Sequence, residues 1–236
     1  MDNVKLMTRK DTKFTMHVGR LGEFLEASRE KYRVLEINAC RRSRYESVYL
    51  DTPDFFFYHQ HHSGRLNRLK VRMRHYLESD DSFLEIKFKN NKFKTHKKRR
   101  KIESINTPLA SESMNYLEKN TGYKIEDLEP KIVITYIRTT LVSKTKAERV
   151  TIDTNLAFEH NQTHIEIPNL AIVEIKQENN GHSAFAGILH NARVKSVGIS
   201  KYCFGITNIY KEMKMNNFKE KIRLLNKIEY DSNRCH

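Results

Sequence analysis

Acidic and basic residues at alternate positions recur along this chain in a spacing typical of β-strand faces. Three steps pair an acid with a lysine two residues later: Asp11 with Lys13, Glu85 with Lys87, and Glu174 with Lys176. Side chains on a strand alternate between two faces, so the carboxylate and the ammonium of each step point to the same side. Ammonium groups bind phosphate oxygens, and carboxylates hold hard divalent cations. The steps therefore indicate binding of a phosphate compound together with a metal.

Further cations continue this spacing on neighbouring stretches. They are Lys70, Arg72 and Arg74, then Lys89, then Lys97, Arg99 and Lys101, and finally Arg138 beside Tyr136. Arginine binds phosphate as a planar fork and lysine as a point charge, so a row of them suits a polyanion. Strands that each carry charge on one face and apolar residues on the other could close into a barrel with a charged lumen. Two alternatives stay open: the faces are merely solvated, or Glu85 and Glu174 only pair with neighbouring lysines.

Composition supports an anionic partner. The 236 residues include 43 Lys or Arg and 29 Asp or Glu, a formal charge of +14, which favours nucleic acid, an anionic membrane or phosphate compounds. The three cysteines are far apart and form no CxxC pair, so neither a disulfide framework nor a zinc site is expected. No apolar signal segment and no run of about 18 apolar residues occurs. We expect a cytoplasmic protein without a transmembrane helix.

The elements that must position these residues are mostly strands. We expect strands over 8–16, 44–50, 67–77, 82–89, 94–102, 131–142, 148–153 and 171–177. Helices are expected over 18–27, 55–62, 111–119 and 183–194, with a largely helical segment at about 206–228. Thr52 and Pro53 are typical of a helix start, and Gly64 of a helix end. No linker divides the chain. The sequence predicts one α+β domain over 1–236, with a mostly antiparallel sheet or barrel.

Other chemistries lack their motifs. No GxxxxGK[ST] or GxGxxG is present, which disfavours a P-loop or dinucleotide fold. No Ser-His-acid arrangement is recognisable. His59, His61 and His62 lack the spacing of a helical metal site and are interpreted as surface residues. The basic run 97–101 has no accompanying recognition helix or aromatic RNA-binding stretch, so no specific nucleic-acid binding is expected.

Several stretches together resemble the VTC domain, the polyphosphate polymerase domain of the triphosphate tunnel metalloenzyme superfamily. They are DTKF at 11–14, YESVYLDTP at 45–53, YHQHHSGRLNRLKVRMRHY at 58–76, FLEIKFKNN at 83–91, YIRT at 136–139, ERVTIDTN at 148–155, AIVEIKQ at 171–177 and ISKYC at 199–203. They cover nearly the whole chain in the family's order. The resemblance implies an antiparallel barrel of about eight strands that forms a tunnel, with helices packed outside.

The resemblance also implies roles for individual residues. Those expected to act on the transferring phosphates are Arg72, Arg74, Lys87, Arg138 and Lys201. Those expected to bind the rest of the chain are Lys13, Lys89, Lys97, Arg99, Tyr136, Lys176 and Ser200. Glu174 matches the family's metal-binding glutamate, and Glu85 and Asp11 are further candidates to bind Mn²⁺ or Mg²⁺. The implied partners are ATP and polyphosphate or triphosphate; a membrane partner and the oligomeric state stay open.

Two positions depart from the family pattern. Arg9 stands where the superfamily's ExExK strand has its first acid. Gly198 stands where eukaryotic members carry another basic residue, and Lys195 is the nearest substitute in the sequence. The resemblance is to a bacterial-type, stand-alone member, without the sensor domain and membrane segments of the eukaryotic subunits.

The implied activity is transfer of the ATP γ-phosphoryl group to a growing polyphosphate chain. One alternative is hydrolysis of triphosphate or nucleoside triphosphate in the same tunnel, where water replaces the phosphate acceptor. Another is a sensor that binds polyphosphate without turning it over. A nucleic-acid-binding protein is a distant further alternative, which predicts a steep salt dependence of affinity.

Overall fold

A curved antiparallel sheet forms the body of the protein. The computed structural model describes residues 9–92, 94–178 and 182–230. Ten strands lie within these ranges: β1 Arg9–His17, β2 Tyr32–Val34, β3 Arg42–Asp51, β4 Arg68–Tyr76, β5 Asp81–Lys89, β6 Thr95–Ile102, β7 Glu129–Ser143, β8 Arg149–His160, β9 Thr163–Ile167 and β10 Leu170–Glu178. The prediction of an α+β protein with an antiparallel sheet is confirmed.

Eight of the strands form one continuous path. Its order is β1-β10-β8-β7-β3-β4-β5-β6, while β2 pairs with β7 and β9 pairs with β8. The path is open, and β1 and β6 form its two edges. Residues from both edge strands, Asp11 and Thr95, nevertheless line one cavity. The sheet therefore curls into a tunnel-like shape in which its edges face each other across that cavity.

In the described part of the chain, six α-helices surround the sheet: α1 Leu21–Ser28, α2 Phe56–His62, α3 Ser111–Thr121, α4 Ala184–Asn191, α5 Lys201–Ile209 and α6 Lys219–Tyr230. Short 3₁₀ helices occupy Val18–Arg20, Ile125–Asp127 and Asn216–Phe218. The bounds agree with the sequence-based elements to within a few residues, with exceptions. Thr8 lies outside the described residues. β2, β9 and the second half of β8 were not predicted, and α5 begins five residues before the expected helical segment.

The outer face of the sheet is apolar and covered by helices. One cluster packs α1 and α4 on β1, β8 and β10, with Phe14, Phe24 and Phe185 at its centre. A second cluster packs α3 on β4 and β5 through Leu117, Val71 and others. Removing these side chains from water stabilises the sheet by about 25 cal/mol per Å² of apolar surface.

The inner face changes character along its length. On β7, Ile132 and Ile134 belong to an apolar cluster with α5 and α6, whereas Arg138 on the same face is charged. On β10 the same change occurs between Ile172 and Glu174. The apolar part of the inner face is thus covered by α5 and α6, and the charged part is left for a ligand. Within the described residues, no helix is long and apolar enough to cross a bilayer.

The entry to α2 differs from the expected cap. The chain first turns through Phe55, which has a left-handed backbone (φ 59°), before the helix begins at Phe56. The Asp51 carboxylate accepts hydrogen bonds of 2.8 Å from the amides of Phe57 and Tyr58, and the Thr52 hydroxyl accepts one of 2.9 Å from Phe56. Asp51 therefore shares the capping with Thr52, and Pro53 precedes the first helical turn.

Candidate phosphate-binding tunnel

A cavity of about 580 Å³ opens on the charged part of the inner face. Its cationic lining residues come from β1, β4, β5 and α6, and they are Lys13, Arg68, Lys70, Lys87, Lys89 and Lys221. Its carboxylates are Asp11 and Glu174. The volume is typical of a small-molecule site, and the excess of cations suits a polyanion.

Lys13 and Glu174 lie opposite each other on the paired strands β1 and β10. The Lys13 ammonium donates a hydrogen bond of 2.9 Å to the carbonyl of Ile199. Burial lowers the pKa of Lys13 to about 8 against the opposing effect of Glu174, and Lys201, Lys70 and Lys87 lower it further. This ammonium is held among like charges, an arrangement that a bound anion would relieve.

The Glu174 carboxylate is ionised at neutral pH. Burial opposes its charge, but Lys176, Lys13 and other cations lower its pKa to about 2. The nearest ammonium, that of Lys176, lies 3.4 Å from the carboxylate. Asp11 lies opposite Lys176 in the strand register, so the two acids and the two lysines alternate across this pair of strands.

Ser200 connects the cavity to helix α5. Its hydroxyl caps the helix by accepting a hydrogen bond of 3.3 Å from the amide of Cys203. The Lys70 ammonium donates to the same hydroxyl at 2.8 Å. Lys70 and Ser200 both line the cavity, so the start of α5 is fixed at its wall.

Glu85 lies in a different environment, although its sequence setting matches that of Glu174. Its side chain is 2% exposed. It accepts hydrogen bonds from Arg72 at 2.8 and 2.5 Å and from Lys97 at 2.5 Å, and the Arg74 guanidinium lies 3.8 Å away. Burial opposes ionisation, but these three cations lower the pKa of Glu85 to about 2. The carboxylate is therefore paired with cations from β4 and β6.

Asp153 is a functional candidate that sequence reasoning missed. Arg138 donates hydrogen bonds of 2.6 and 2.7 Å to its two oxygens, and Lys201 donates to the same carboxylate. Asp153 is buried, and despite that burial Arg138 and Lys201 hold its pKa far below the ordinary range. The signal available in the sequence was that Asp153 lies in ERVTIDTN at 148–155, one of the stretches that resemble the family. Its side chain lies on the same strand face as that of Thr151.

Aromatic rings support the arginines of the inner face. Tyr45 and Tyr136 stack with ring centroids 5.1 Å apart, and the Arg138 guanidinium lies 5.0 and 5.3 Å from their centroids. The Tyr49 hydroxyl accepts a hydrogen bond of 2.7 Å from Arg72. Burial favours the neutral phenol, but Arg72, Arg74 and Lys70 outweigh it and lower the pKa of Tyr49 to about 7.

The proposed site residues divide into two groups. Six line the cavity: Asp11, Lys13, Lys87, Lys89, Glu174 and Ser200. The others lie outside that lining: Arg72, Arg74, Glu85, Lys97, Arg99, Tyr136, Arg138, Lys176 and Lys201. Most members of this second group form an ion pair. Tyr136 is buried, and the Lys201 ammonium lies over its ring. The Arg99 guanidinium lies 4.9 Å from the centroid of the Phe83 ring.

The interpretation of the histidine cluster as surface was wrong for two of its members. His62 is buried, stacks on Tyr58 and packs against Phe218. His61 lines the cavity, and its Nε2 is buried with no hydrogen-bond partner among the described residues. Burial, together with Lys70 and Arg68, lowers the pKa of His61 far below its ordinary value. The reason is tertiary, because α2 lies between the core and the cavity; His59 is exposed as expected.

A divalent metal fits this site as a companion of the ligand. In the described part of the chain, no group of three His, Cys, Asp or Glu side chains could hold a metal alone. Asp11 and Glu174 both face the cavity, and Mg²⁺ is commonly bound by one or two carboxylates plus substrate phosphate oxygens. The donor set therefore suits a metal that arrives with a phosphate compound.

Comparison with known proteins identifies a family model that matches most of this chain. The family model described as VTC domain matches residues 8–210. The search of curated proteins found no match. Among solved structures, a candidate adenylate cyclase from Bacillus halodurans superposes with a TM-score of 0.54 at 13% identity, covering 86% of this chain and 97% of that one. This likeness supports the fold.

Two further solved structures are similar at lower scores. A candidate adenylate cyclase from Vibrio parahaemolyticus has a TM-score of 0.48 at 11% identity and covers 82% of this chain and 95% of that one. A candidate adenylyl cyclase from Hippeastrum, described as having a dominant triphosphatase activity, has a TM-score of 0.47 at 9% identity. It covers 86% of this chain and 99% of that one.

Proposed function

The chain belongs to the VTC domain family, and from that premise we propose that it transfers the γ-phosphoryl group of ATP to a polyphosphate chain held in the basic tunnel. One observation carries the proposal: lysines from separate strands converge on a single cavity that also contains the Glu174 carboxylate. Such a cavity favours a ligand with several negative charges in a row over a single phosphate.

The reaction needs positioning more than proton transfer. An oxygen of the terminal polyphosphate group attacks the γ-phosphorus, the bond from that phosphorus to the β,γ-bridging oxygen breaks, and ADP leaves. The attacking oxygen is already ionised, so no general base is required. The obstacle is the approach of two polyanions, and cations lower it by neutralising the charge of the loose transition state.

The geometry suggests a division of roles. Lys13, Lys87 and Lys89 would bind the chain in the cavity, assisted by the Ser200 hydroxyl. Arg72, Arg74, Arg138 and Lys201 would stabilise the transferring and flanking phosphates once their contacts with Glu85, Ser47 and Asp153 are shared with substrate. Lys97, Arg99, Tyr136 and Lys176 would complete the basic surface around them.

Glu174 and Asp11 would hold Mn²⁺ or Mg²⁺ together with phosphate oxygens. The bound metal would neutralise charge on the transferring phosphates. Glu85 is a weaker metal candidate, because Arg72 and Lys97 already occupy its oxygens. We propose that it orients these cations. A single domain over 1–236 and a cytoplasmic location stay part of the proposal.

The test is incubation of the purified protein with ATP and Mn²⁺ or Mg²⁺, followed by phosphorus NMR and a gel for long chains. Glu174→Ala should abolish long-chain product. Glu166→Ala is the matched control, because Glu166 is exposed on β9 and should leave product formation unchanged. Orthophosphate as the main product would contradict polymerase activity and indicate a triphosphatase. Tight polyphosphate binding without turnover would indicate a sensor.

A further inference from the structure

Helix α6 lies beyond the residues that match the family model, yet it forms part of the cavity wall. Its first two turns contribute Lys221, Ile222 and Leu225 to the lining. The family match ends at residue 210, so the resemblance assigns no role to this helix. Its contribution to the cavity wall is seen in the tertiary structure.

Both ends of the α6 region are held in place. At the C-terminal end, the Glu229 carboxylate accepts a hydrogen bond of 3.0 Å from the Asn169 amide, and the Asn169 side chain donates one of 3.0 Å to the Glu229 carbonyl. Just before the helix, Asn217 donates to the His62 carbonyl at 2.9 Å. Leu225 is buried in the inner apolar cluster. The helix therefore keeps Lys221 at the cavity.

Lys221 lies beside Gly198. A Cβ atom built on Gly198 would be 3.9 Å from the Lys221 ammonium. Gly198 is the position at which the resemblance implies a basic side chain in eukaryotic members, and this chain has none there. Lys195, the substitute suggested by sequence proximity, is exposed and does not line the cavity. An ammonium from a different element thus fills the neighbourhood of the missing side chain.

The charges around Lys221 favour an anion. No ion pair joins Lys221 to an acidic side chain within the described residues. The cavity that it lines also contains Lys13, Lys70 and Lys87. An exposed ammonium on the wall of a cavity with an excess of cations is placed to contact a phosphate bound there.

We propose that Lys221 is a phosphate-binding residue that supplies, from α6, a cation to the cavity wall beside Gly198. This inference rests on the proposed function and deepens it, because it adds a residue of the C-terminal helix to the phosphate-binding residues of the strands. Lys221 binds the chain at the cavity wall and takes no part in the transfer itself.

The test compares two lysines on the same helix. Lys221→Ala and Lys227→Ala remove the same charge, but Lys227 is exposed and lies outside the cavity lining. Binding of inorganic tripolyphosphate, measured by calorimetry on the full chain, should weaken by roughly fivefold in the first variant. In the second it should stay within about twofold of wild type. Equal effects in the two variants would overturn the proposal.

A rescue variant separates a local contact from general loss of charge or structure. Gly198 does not have a positive φ, so a lysine can replace it without backbone strain. Gly198→Lys in the Lys221→Ala background returns an ammonium to the same neighbourhood and should restore most of the lost affinity. Failure of Gly198→Lys to restore binding, in a variant with wild-type melting temperature, would also overturn the proposal.

These outcomes remain distinct from failure of the proposed function. If wild type binds tripolyphosphate and Lys221→Ala does not differ from Lys227→Ala, the role of Lys221 is wrong and the tunnel still binds phosphate. If wild type does not bind tripolyphosphate with or without Mg²⁺, both proposals are wrong. In an active enzyme, Lys221→Ala should raise KM and leave kcat within about twofold, since a residue that only binds the chain does not change the transfer step.

Discussion

Arg138 on β7 and Asp153 on β8 face each other in the strand register and are joined by two hydrogen bonds of 2.6 and 2.7 Å. Lys201 from α5 reaches the same carboxylate. A single buried acid thus fixes two cations that come from a strand and from a helix. This arrangement holds the basic surface together before any ligand arrives.

Replacing Asp153 should therefore destabilise the protein strongly. Asp153→Asn leaves Arg138 and Lys201 without their counter-charge, and breaking a buried pair of this kind costs about 3–5 kcal/mol. The free energy of unfolding from urea titration measures the loss. Asp80→Asn is the control, because that side chain is 95% exposed and its replacement should change stability by less than about 0.5 kcal/mol. Similar values for both variants would show that the Arg138 pair contributes little.

A bound polyanion should compensate for the missing carboxylate. If phosphates contact Arg138 and Lys201, tripolyphosphate should raise the melting temperature of Asp153→Asn more than that of wild type, because it neutralises cations that are unpaired only in the variant. Thermal melts over a range of ligand concentrations measure the two shifts. A smaller shift in the variant would place the ligand away from Arg138.

Glu85 should make stability depend on acid pH. Its pKa is lowered from 4.5 to about 2, so its contribution is complete above about pH 4.5 and is lost as the pH falls towards 2. The lowering corresponds to about 3 kcal/mol. Glu85→Gln should be less stable at pH 7 and should lose less further stability between pH 5 and 3. Urea unfolding at several pH values measures this slope, and parallel curves for the two proteins would contradict the prediction.

Because of Lys13, the affinity for the ligand should depend on pH in the alkaline range. The pKa of Lys13 is lowered to about 8, chiefly by burial, so the side chain is charged below that value and becomes neutral above it. Binding of an anion raises this pKa, and we expect proton uptake when tripolyphosphate binds near pH 8. Calorimetry in buffers of different ionisation enthalpy counts the protons. Lys13→Arg stays charged and should reduce the uptake, whereas an unchanged count would exclude Lys13 as its source.

The position of α5 should depend on a glycine. A Cβ atom on Gly205 would lie 2.5 Å from Ile132 and 2.8 Å from Phe158, so Gly205→Ala should destabilise the protein by about 1–3 kcal/mol through overpacking. Gly187→Ala in α4 is the matched control, since its Cβ would meet no atom within 4 Å. That variant should be up to about 1 kcal/mol more stable, because alanine favours the helix. Thermal or urea unfolding distinguishes the two, and equal stability of both variants would contradict the close packing of α5.

Much of the fold could be predicted because the local pattern is strong. On β4 and β5, charged and apolar residues alternate with a period of two, which indicates strands and tells which residues share a face. The second half of β8 was not predicted, because its burial does not follow from the local pattern. At Leu156 and Phe158, β8 turns apolar side chains to the inner cluster beneath α5, and this burial depends on a helix that is distant in the sequence.

Which residues carry charge and share a strand face can be read from the local pattern alone, and from these charges an anionic ligand is expected. The environment of each charge depends on the folded structure. Glu85 and Glu174 stand in the same acid-x-lysine pattern, but Arg72 and Lys97 enclose the first while the second faces the cavity. Asp153 is joined to Lys201 of α5, far along the chain, and Lys221 reaches the cavity from α6. Alternation along a strand is a local property, whereas ion pairing and burial depend on which strands and helices the fold brings together.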